Sequence, residues 1–350
     1  MKKRLRTIAL ASQTRIVAMS ILWLALFAYA GRPLLAGAAA AGIAPGLAWA
    51  SLFALSLTPL LSWYRRSNWT GYAVLGIFST LLVLVFVGDL ARVLYAIARW
   101  AVSAQTWPLF DPRAVSLVIL GAAGVLSLVG LAQARCPKTV RVTVPVENLP
   151  DALDGYRIVQ WSDVHVGPTI QRRFVQALVD RTNALDADAI AITGDFVDGP
   201  MQELREHIEP LRELRTRDGA FYVTGNHEYY WRASEWIPEL ENAGLEFLKN
   251  EHRVVTRNGA RIVFAGVTDP VGRYTHKQDP VKAMANAPAD AVKVLLSHRP
   301  QTASIASRLG VDLQLSGHTH GGQFFPFNLV IHRFQPIVAG LHRVGRTWLY

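Results

Sequence analysis

The sequence predicts two fold classes in one chain. Residues 1–135 read as an N-terminal bundle of about four transmembrane α-helices, residues 155–350 as an α/β layered domain, and residues 136–154 as a linker and edge strand. Composition is the first observation behind this. With 51% apolar residues and a mean hydropathy of +0.20, the chain is too apolar for an ordinary soluble protein. Charge is the second. Of 36 Lys and Arg and 26 acids, residues 1–135 hold twelve and two (Asp89 and Asp111), leaving 24 of each sign for the rest. The net charge of +10 therefore belongs to the apolar part. Its basic residues flank apolar spans instead of forming a patch on a folded domain, so no nucleic-acid binding is expected. The third observation is a repeated ending. Apolar runs at 158–159, 189–193, 221–223, 292–296 and 311–315 each lead within a few residues to Asp, Asn or His.

In chain order, runs at 16–30, 41–63, 71–88 and 115–134 are long enough, or nearly so, for a hydrocarbon core that takes roughly 20 residues to cross. Ala28-Tyr29-Ala30 after the basic start has the form of a signal-peptidase site, though three further spans make anchoring independent of the first. Lys2, Lys3, Arg4, Arg6 and Arg15 precede the first span, Arg65 and Arg66 lie in the second connection, and Arg135, Lys138 and Arg141 follow the fourth. That bias places both ends, and the whole second half, on the cytoplasmic side of an inner or cell membrane that the chain crosses several times. Arg92, Arg99 and Arg113 around the third connection weaken it. Residues 89–102 carry apolar side chains at helical spacing, which suits an amphipathic helix in the interface or an extension of the third span. Asp89 reads as an end-of-span acid beside Arg92. Cys136 is the single cysteine, so no disulfide forms within the chain. Its place after the last span permits S-acylation, an idle thiol being the simpler reading.

From 140 to 146 every even position is Val, and Pro145 lacks an N–H, which reads as an edge strand entering the domain. Strand 156–161 follows, then a helix at 171–185, strand 189–193 and a helix at 201–216. Strand 220–224, a helix at 233–243 and a hairpin of 254–256 with 261–265 around Asn258-Gly259 come next. A polar loop at 269–279, strand 292–296, a short helix at 300–309 and strand 311–315 complete the alternation. Strands alternating with helices place ligands at the carboxyl ends of the strands.

Those ends carry Asp163 and His165, then Asp195, Asn226 with His227 and Glu228, His298, and finally His318 and His320. Two divalent cations held roughly 3.5–4 Å apart repel one another and need a bridging anion, for which Asp195 is suited. One cation could take Asp163, His165 and His320, the other Asn226, His298 and His318. Mixed imidazole, carboxylate and amide ligands suit Mn²⁺, Fe or Zn²⁺ better than Mg²⁺ or Ca²⁺. A water held between two such ions loses its proton near neutral pH and becomes a nucleophile. His227 is not needed as a ligand and is the candidate to protonate a leaving group. Asp198 and Glu228 orient ligands or cap turns. His207, His252, His276, His332 and His342 fall outside the pattern and read as surface or loop histidines.

Asp163-x-His165, Gly194-Asp195, Gly225-Asn226-His227-Glu228, His298 and Gly317-His318-Thr319-His320 resemble, in order, the signature of the calcineurin-like metallophosphoesterases. The resemblance covers about residues 155–325. It implies a four-layer α/β/β/α sandwich, the seven metal ligands assigned above, and hydrolysis of a phosphomonoester, phosphodiester or pyrophosphate. The preceding spans, with Gly321-Gly322-Gln323, are similar to the multi-span membrane members of that family. Those members usually continue a few dozen residues past the equivalent of Leu349-Tyr350, so the resemblance implies a second sheet lacking its last C-terminal strands. The run from Phe324 to Ile331 reads as a buried strand or packed lid. As an apolar rim it would instead touch membrane lipid or receive acyl chains, which favours a lipid-linked phosphate as substrate. A non-catalytic membrane scaffold that uses the same fold to bind partners is the alternative.

Overall fold

The computed structural model describes residues 17–65, 69–102, 111–323 and 327–350. The chain divides into two compact units with the boundary between Pro137 and Lys138.

In the first unit, helix α1 (Val17–Ala30) meets α2 (Arg32–Ala40) at a bend of 46°. Pro33 causes the break: it has no N–H to offer the Tyr29 carbonyl, which accepts instead from Arg32 Nε at 3.2 Å. Gly31 lies at the corner because a Cβ there would come within 2.6 Å of a Leu52 methyl on α3 (Pro45–Arg65). Helix α4 (Trp69–Ala101) is continuous over 33 residues, roughly 50 Å at 1.5 Å per residue. The stretch expected at 89–102 is therefore an extension of the span before it, not a separate interfacial helix. Asp89, within that extension, accepts from Tyr29 Oη at 2.9 Å and pairs with Arg32, with Arg92 3.8 Å away. Helix α5 (Pro112–Ala134) starts at Asp111, whose carboxylate accepts from the Arg113 amide. Among the described residues α4 and α5 are long and apolar enough to cross a bilayer, and the bent pair α1–α2 makes a third candidate if it counts as one span.

In the second unit, strands β1 (Ile158–Trp161), β2 (Ala189–Ile192), β3 (Ala220–Tyr222) and β4 (Glu246–Phe247) form a parallel sheet in that order. The connections carry α6 (Arg172–Asn183), α7 (Met201–Ile208), α8 (Asn226–Tyr230) and α9 (Ala233–Asn242). A second sheet, of order β5-β6-β7-β8-β10-β9, begins with the hairpin β5 (Glu251–Arg257) and β6 (Ala260–Val267). Its two-residue turn has positive φ at both Asn258 and Gly259, the conformation that matches strand twist. After α10 (Pro280–Met284), β7 (Val292–Ser297), α11 (Ala303–Arg308) and β8 (Leu313–Leu315) continue the sheet in parallel. Beyond β8 lies the antiparallel pair of β9 (His342–Val344) and β10 (Thr347–Leu349).

Period-two alternation explains why the strands read as unbroken apolar runs. Ile190, Ile192 and Tyr222 pack with Val175, Leu204, Trp236 and Leu240 of the helices. Ala189, Ala191 and Phe221 pack the opposite way, against Phe264, Val294 and Leu296 of the second sheet. The Phe221 and Phe264 rings stack there with centroids 4.6 Å apart. Val263, Ala265 and Leu295 meet Ala283 of α10 and Ala306 of α11 on the remaining face.

Three local expectations fail. Residues 140–146 form no strand: Pro145 has no N–H, its carbonyl accepts from Trp348 Nε1 at 2.7 Å, and Val144 and Val146 hold the segment by packing alone. The helix expected at 201–216 stops at Ile208, because Pro210 cannot donate back, and a 3₁₀ turn (Glu209–Glu213) follows. The short helix expected at 300–309 is present, as a 3₁₀ turn (Pro300–Thr302) leading into α11. Of the run from Phe324 to Ile331, residues 324–326 lie outside the described residues. The remainder forms the 3₁₀ turns Phe327–Leu329 and Ile331–Arg333, not a strand, with Ile331 buried but Leu329 and Val330 exposed by 69% and 48%.

Candidate metal centre

The segments that follow β1 and β2 run side by side past the strand ends. The Asp163 amide donates to Gly194 O at 3.1 Å, the His165 amide to Asp195 O at 3.0 Å, and Val166 bridges Val197. To turn off the sheet and aim a side chain at a common point, the chain takes the left-handed conformation at Asp163, His165 and Asp195, and again at His318 and His320 (φ 49–71°). Left-handed backbone is uncommon for residues with a Cβ and costs on the order of 1 kcal/mol each. The glycines beside them allow the segments to cross. A Cβ on Gly225 would lie 2.2 Å from Asp195 Oδ1, and one on Gly317 would lie 2.2 Å from Asp163 Oδ2.

Asp163, His165 and His320 offer ligand atoms within 4.8 Å of one another, and so do Asp195, His298 and His318. A third group of the same reach, His165, Asp195 and His227, overlaps both the first and the second. Nε2 of His165 and Nε2 of His320 are 3.3 Å apart, and His320 Nε2 is 3.3 Å from Asp163 Oδ1. Asp195 divides its oxygens. Oδ1 accepts the His227 amide at 2.8 Å, while Oδ2 lies 3.2 Å from His298 Nε2 and 4.0 Å from His165 Nε2. His298 donates Nδ1–H to the Thr193 carbonyl at 2.8 Å, which turns Nε2 toward Asp195, and that nitrogen is buried without an aligned hydrogen bond. Asn226 Oδ1 and His165 Nδ1 are likewise buried and unpartnered. Buried polar atoms are almost always satisfied, so the orphaned His298 Nε2 and Asn226 Oδ1 fit a cation as the missing partner, while His165 faces the site by Nε2. All seven proposed ligands and His227 belong to this neighbourhood. His207, His252, His276, His332 and His342 belong to none of the three groups.

Charge is distributed accordingly. Burial alone would raise the Asp195 carboxyl, but His298 beside it holds it well below the carboxylate range. Burial would likewise lower His298, and Asp195 instead pushes it up to about 9. His318 is pushed down to about 4, by burial and then by the charges of His298 and Arg299. Burial also dominates at His165 and lowers it. His227 goes up: burial opposes, but its hydrogen bond to Asp198 Oδ1 at 2.8 Å and the charge of Asp195 prevail. Asp198 also accepts from Trp231 Nε1 at 2.9 Å, so it holds the imidazole by Nδ1 and leaves Nε2 for another partner.

Two further residues support the site, and the first, Glu228, has the turn-capping role the sequence suggests. Glu228 is fully buried and accepts amides from both the 195–197 segment and Gly225. Arg299, next to His298, binds the buried Asp269 by Nε at 2.8 Å and Nη2 at 3.3 Å. The spacing of Asp198 three residues after Asp195 could have flagged the His227 partner, whereas nothing local marks Asp269.

A model of the family described as calcineurin-like phosphoesterase matches residues 156–322. A "transmembrane protein with metallophosphoesterase domain" from Danio rerio is 36% identical over 293 residues, covering 80% of this chain and 67% of that protein. One of the same description from Bos taurus is 35% identical, covering 79% and 66%. An uncharacterized metallophosphoesterase from Campylobacter jejuni is 32% identical over 220 residues, covering 62% and 57%. The chain thus spans about two thirds of the first two relatives and less of the third.

Proposed function

Because the chain belongs to the calcineurin-like phosphoesterase family, we propose that it is a membrane-anchored phosphoesterase with a two-metal centre. Asp163, His165 and His320 would hold one cation and Asn226, His298 and His318 the other, with Asp195 between them. The observation that carries this is the division of Asp195, whose Oδ2 faces His165 of one ligand set and His298 of the other. Two divalent ions there, Mn, Fe or Zn by ligand type, would supply positive charge to a phosphoryl group and lower the pKa of a bound water.

The chain's own residues do the rest. His227, whose hydrogen bond to Asp198 raises its pKa against the effect of burial, is placed to give a proton to the departing oxygen of a phosphomonoester, phosphodiester or pyrophosphate. Thr193 and Glu228 fix the ring of His298 and the turn of Asp195, so the constellation needs no rearrangement to bind. Three apolar cores layered as helix, sheet, sheet, helix support the α/β/β/α reading of the domain. Four spans, with α3 as the second and both ends cytoplasmic, accord with the Lys and Arg bias. Exposed Leu329 and Val330 lie on the segment that packs against Gly322, two residues past His320, and favour a lipid-linked phosphate among the substrates.

The test is hydrolysis by the purified full chain of a panel of mono-, di- and pyrophosphates, lipid-linked compounds included, with chelator and then Mn²⁺ added back. Metal-dependent turnover that Asp195→Ala abolishes is expected. Wild-type turnover in that variant would overturn the assigned two-metal mechanism, whereas no turnover across the panel, with partner binding retained in metal-free protein, would favour the scaffold instead.

A further inference from the structure

Outside the metal centre, a cavity of about 450 Å³ opens between the end of β4 and the start of α10. Lys249, Lys277 and Lys282 line it together with His276. Among the described residues none of the three amines has a carboxylate partner. Of the acids nearby, Glu246 and Glu251 pair with Arg253, and Asp279, which also lines the cavity, accepts the Lys282 amide at 2.9 Å. Three lysines against one carboxylate leave the opening with excess positive charge, and a bound anion relieves the repulsion among them.

The wall of the cavity is fixed from beneath. Asn250 is buried, donates Nδ2–H to Lys277 O at 2.8 Å and accepts the Asp279 amide at 3.0 Å. Thr268 Oγ1 donates to His276 O at 2.9 Å. The backbone carrying Lys277 is therefore held before any ligand arrives, which cuts the ordering cost of binding. His276 also reaches inward: its Nδ1 is 3.1 Å from Tyr229 Oη, which is 3.1 Å from Thr224 Oγ1, two residues before Asn226. Burial, then the charge of Lys249, holds the imidazole below its ordinary value, as a positive field requires.

We propose that this basic cavity is a second anion site, taking a phosphate-class oxyanion apart from the metal centre and joined to it through His276, Tyr229 and Thr224. The oxyanion could come from a soluble phosphate compound or from a lipid headgroup, and the lysines recognise the same group in either. The experiment is calorimetric titration of inorganic pyrophosphate into the full chain in detergent, stripped with chelator so that hydrolysis and metal-bound anion play no part. A saturable one-site isotherm is expected, weakened at least tenfold in K249Q/K277Q/K282Q, a variant of exposed side chains whose unfolding midpoint should be unchanged. Displacement of pyrophosphate at least tenfold more readily by dihexanoyl phosphatidic acid than by glycerol 3-phosphate would identify a lipid headgroup as the source, and equal displacement by the two a soluble phosphate. Absence of an isotherm, or equal affinity in the triple variant, overturns the second site whatever the turnover assays show.

Discussion

Glu228 has no exposure to solvent, yet its two oxygens accept the amides of Gly225 at 2.7 Å, Phe196 at 2.8 Å, Asp195 at 3.0 Å and Val197 at 3.3 Å. Burial and the charge of Asp195 push its carboxyl up to about 7, while the amides pull down. It is the tie between the turn that presents Asp195 and the one that presents Asn226. Glu228→Gln keeps the volume but turns an N–H₂ toward amide donors. It should destabilise the domain by about 2–4 kcal/mol and weaken metal binding roughly 10–100-fold. Chemical denaturation and metal titration of the full chain measure these, and unchanged values in both would remove Glu228 from the support of the site. Residues like Asp163, His318 and His320 were legible because few other reasons put Asp and His after apolar runs. The turn-capping role of Glu228 was legible but not its partners, and Asp269 was not legible at all, since a buried carboxylate's amides or arginine are defined only by segments that the fold brings together.

The strands of the first sheet separate two tasks by their ends. Their carboxyl ends carry the strained turns of the metal centre. At the amino ends, Arg257 of β5 binds Asp188 and donates Nη2–H to Asp218 at 2.9 Å, with Tyr156 Oη on Asp218 at 2.8 Å. Asp188 and Asp218 precede β2 and β3, so the arginine staples one sheet to the other. Burial raises the Asp188 carboxyl, but Arg257 and the Arg157 amide outweigh it, and its folded value lies below the ordinary 3.8. A depressed folded value stabilises above the unfolded pKa, and the contribution disappears as pH falls through the folded one. Asp188→Asn should therefore cost about 1–3 kcal/mol near neutral pH, with the gap to wild type closing below about pH 4. Urea midpoints across that range check it, and a gap independent of pH would mean the staple acts by packing alone. Element existence was legible here because apolar runs and the Asn-Gly turn are local. The stop at Pro210 was written in the sequence and overridden by helical spacing. Residues 140–146 show the opposite error: alternation satisfied by packing was read as pairing.

At the scale of the molecule, twelve of the 36 basic residues stand among apolar spans with only two acids, and the remaining charges cancel within the second unit. A charge-balanced domain does not choose a side of the membrane by itself, so the positive residues around the spans must decide. The first five and the group Arg135, Lys138 and Arg141 agree with an even number of crossings and cytoplasmic ends. Arg92 and Arg99, both on the long α4, and Arg113 oppose that vote, three residues against the eight that flank the first and last spans. Cys136 gives a direct readout, because it is exposed, follows α5 by two residues and is the only thiol in the chain. A membrane-impermeant maleimide should leave it unmodified in intact cells expressing the full chain and modify it once the membrane is permeabilised. Labelling of intact cells would put the end of α5 on the outer face, and the metal centre would then have to act on phosphate compounds outside the cytoplasm.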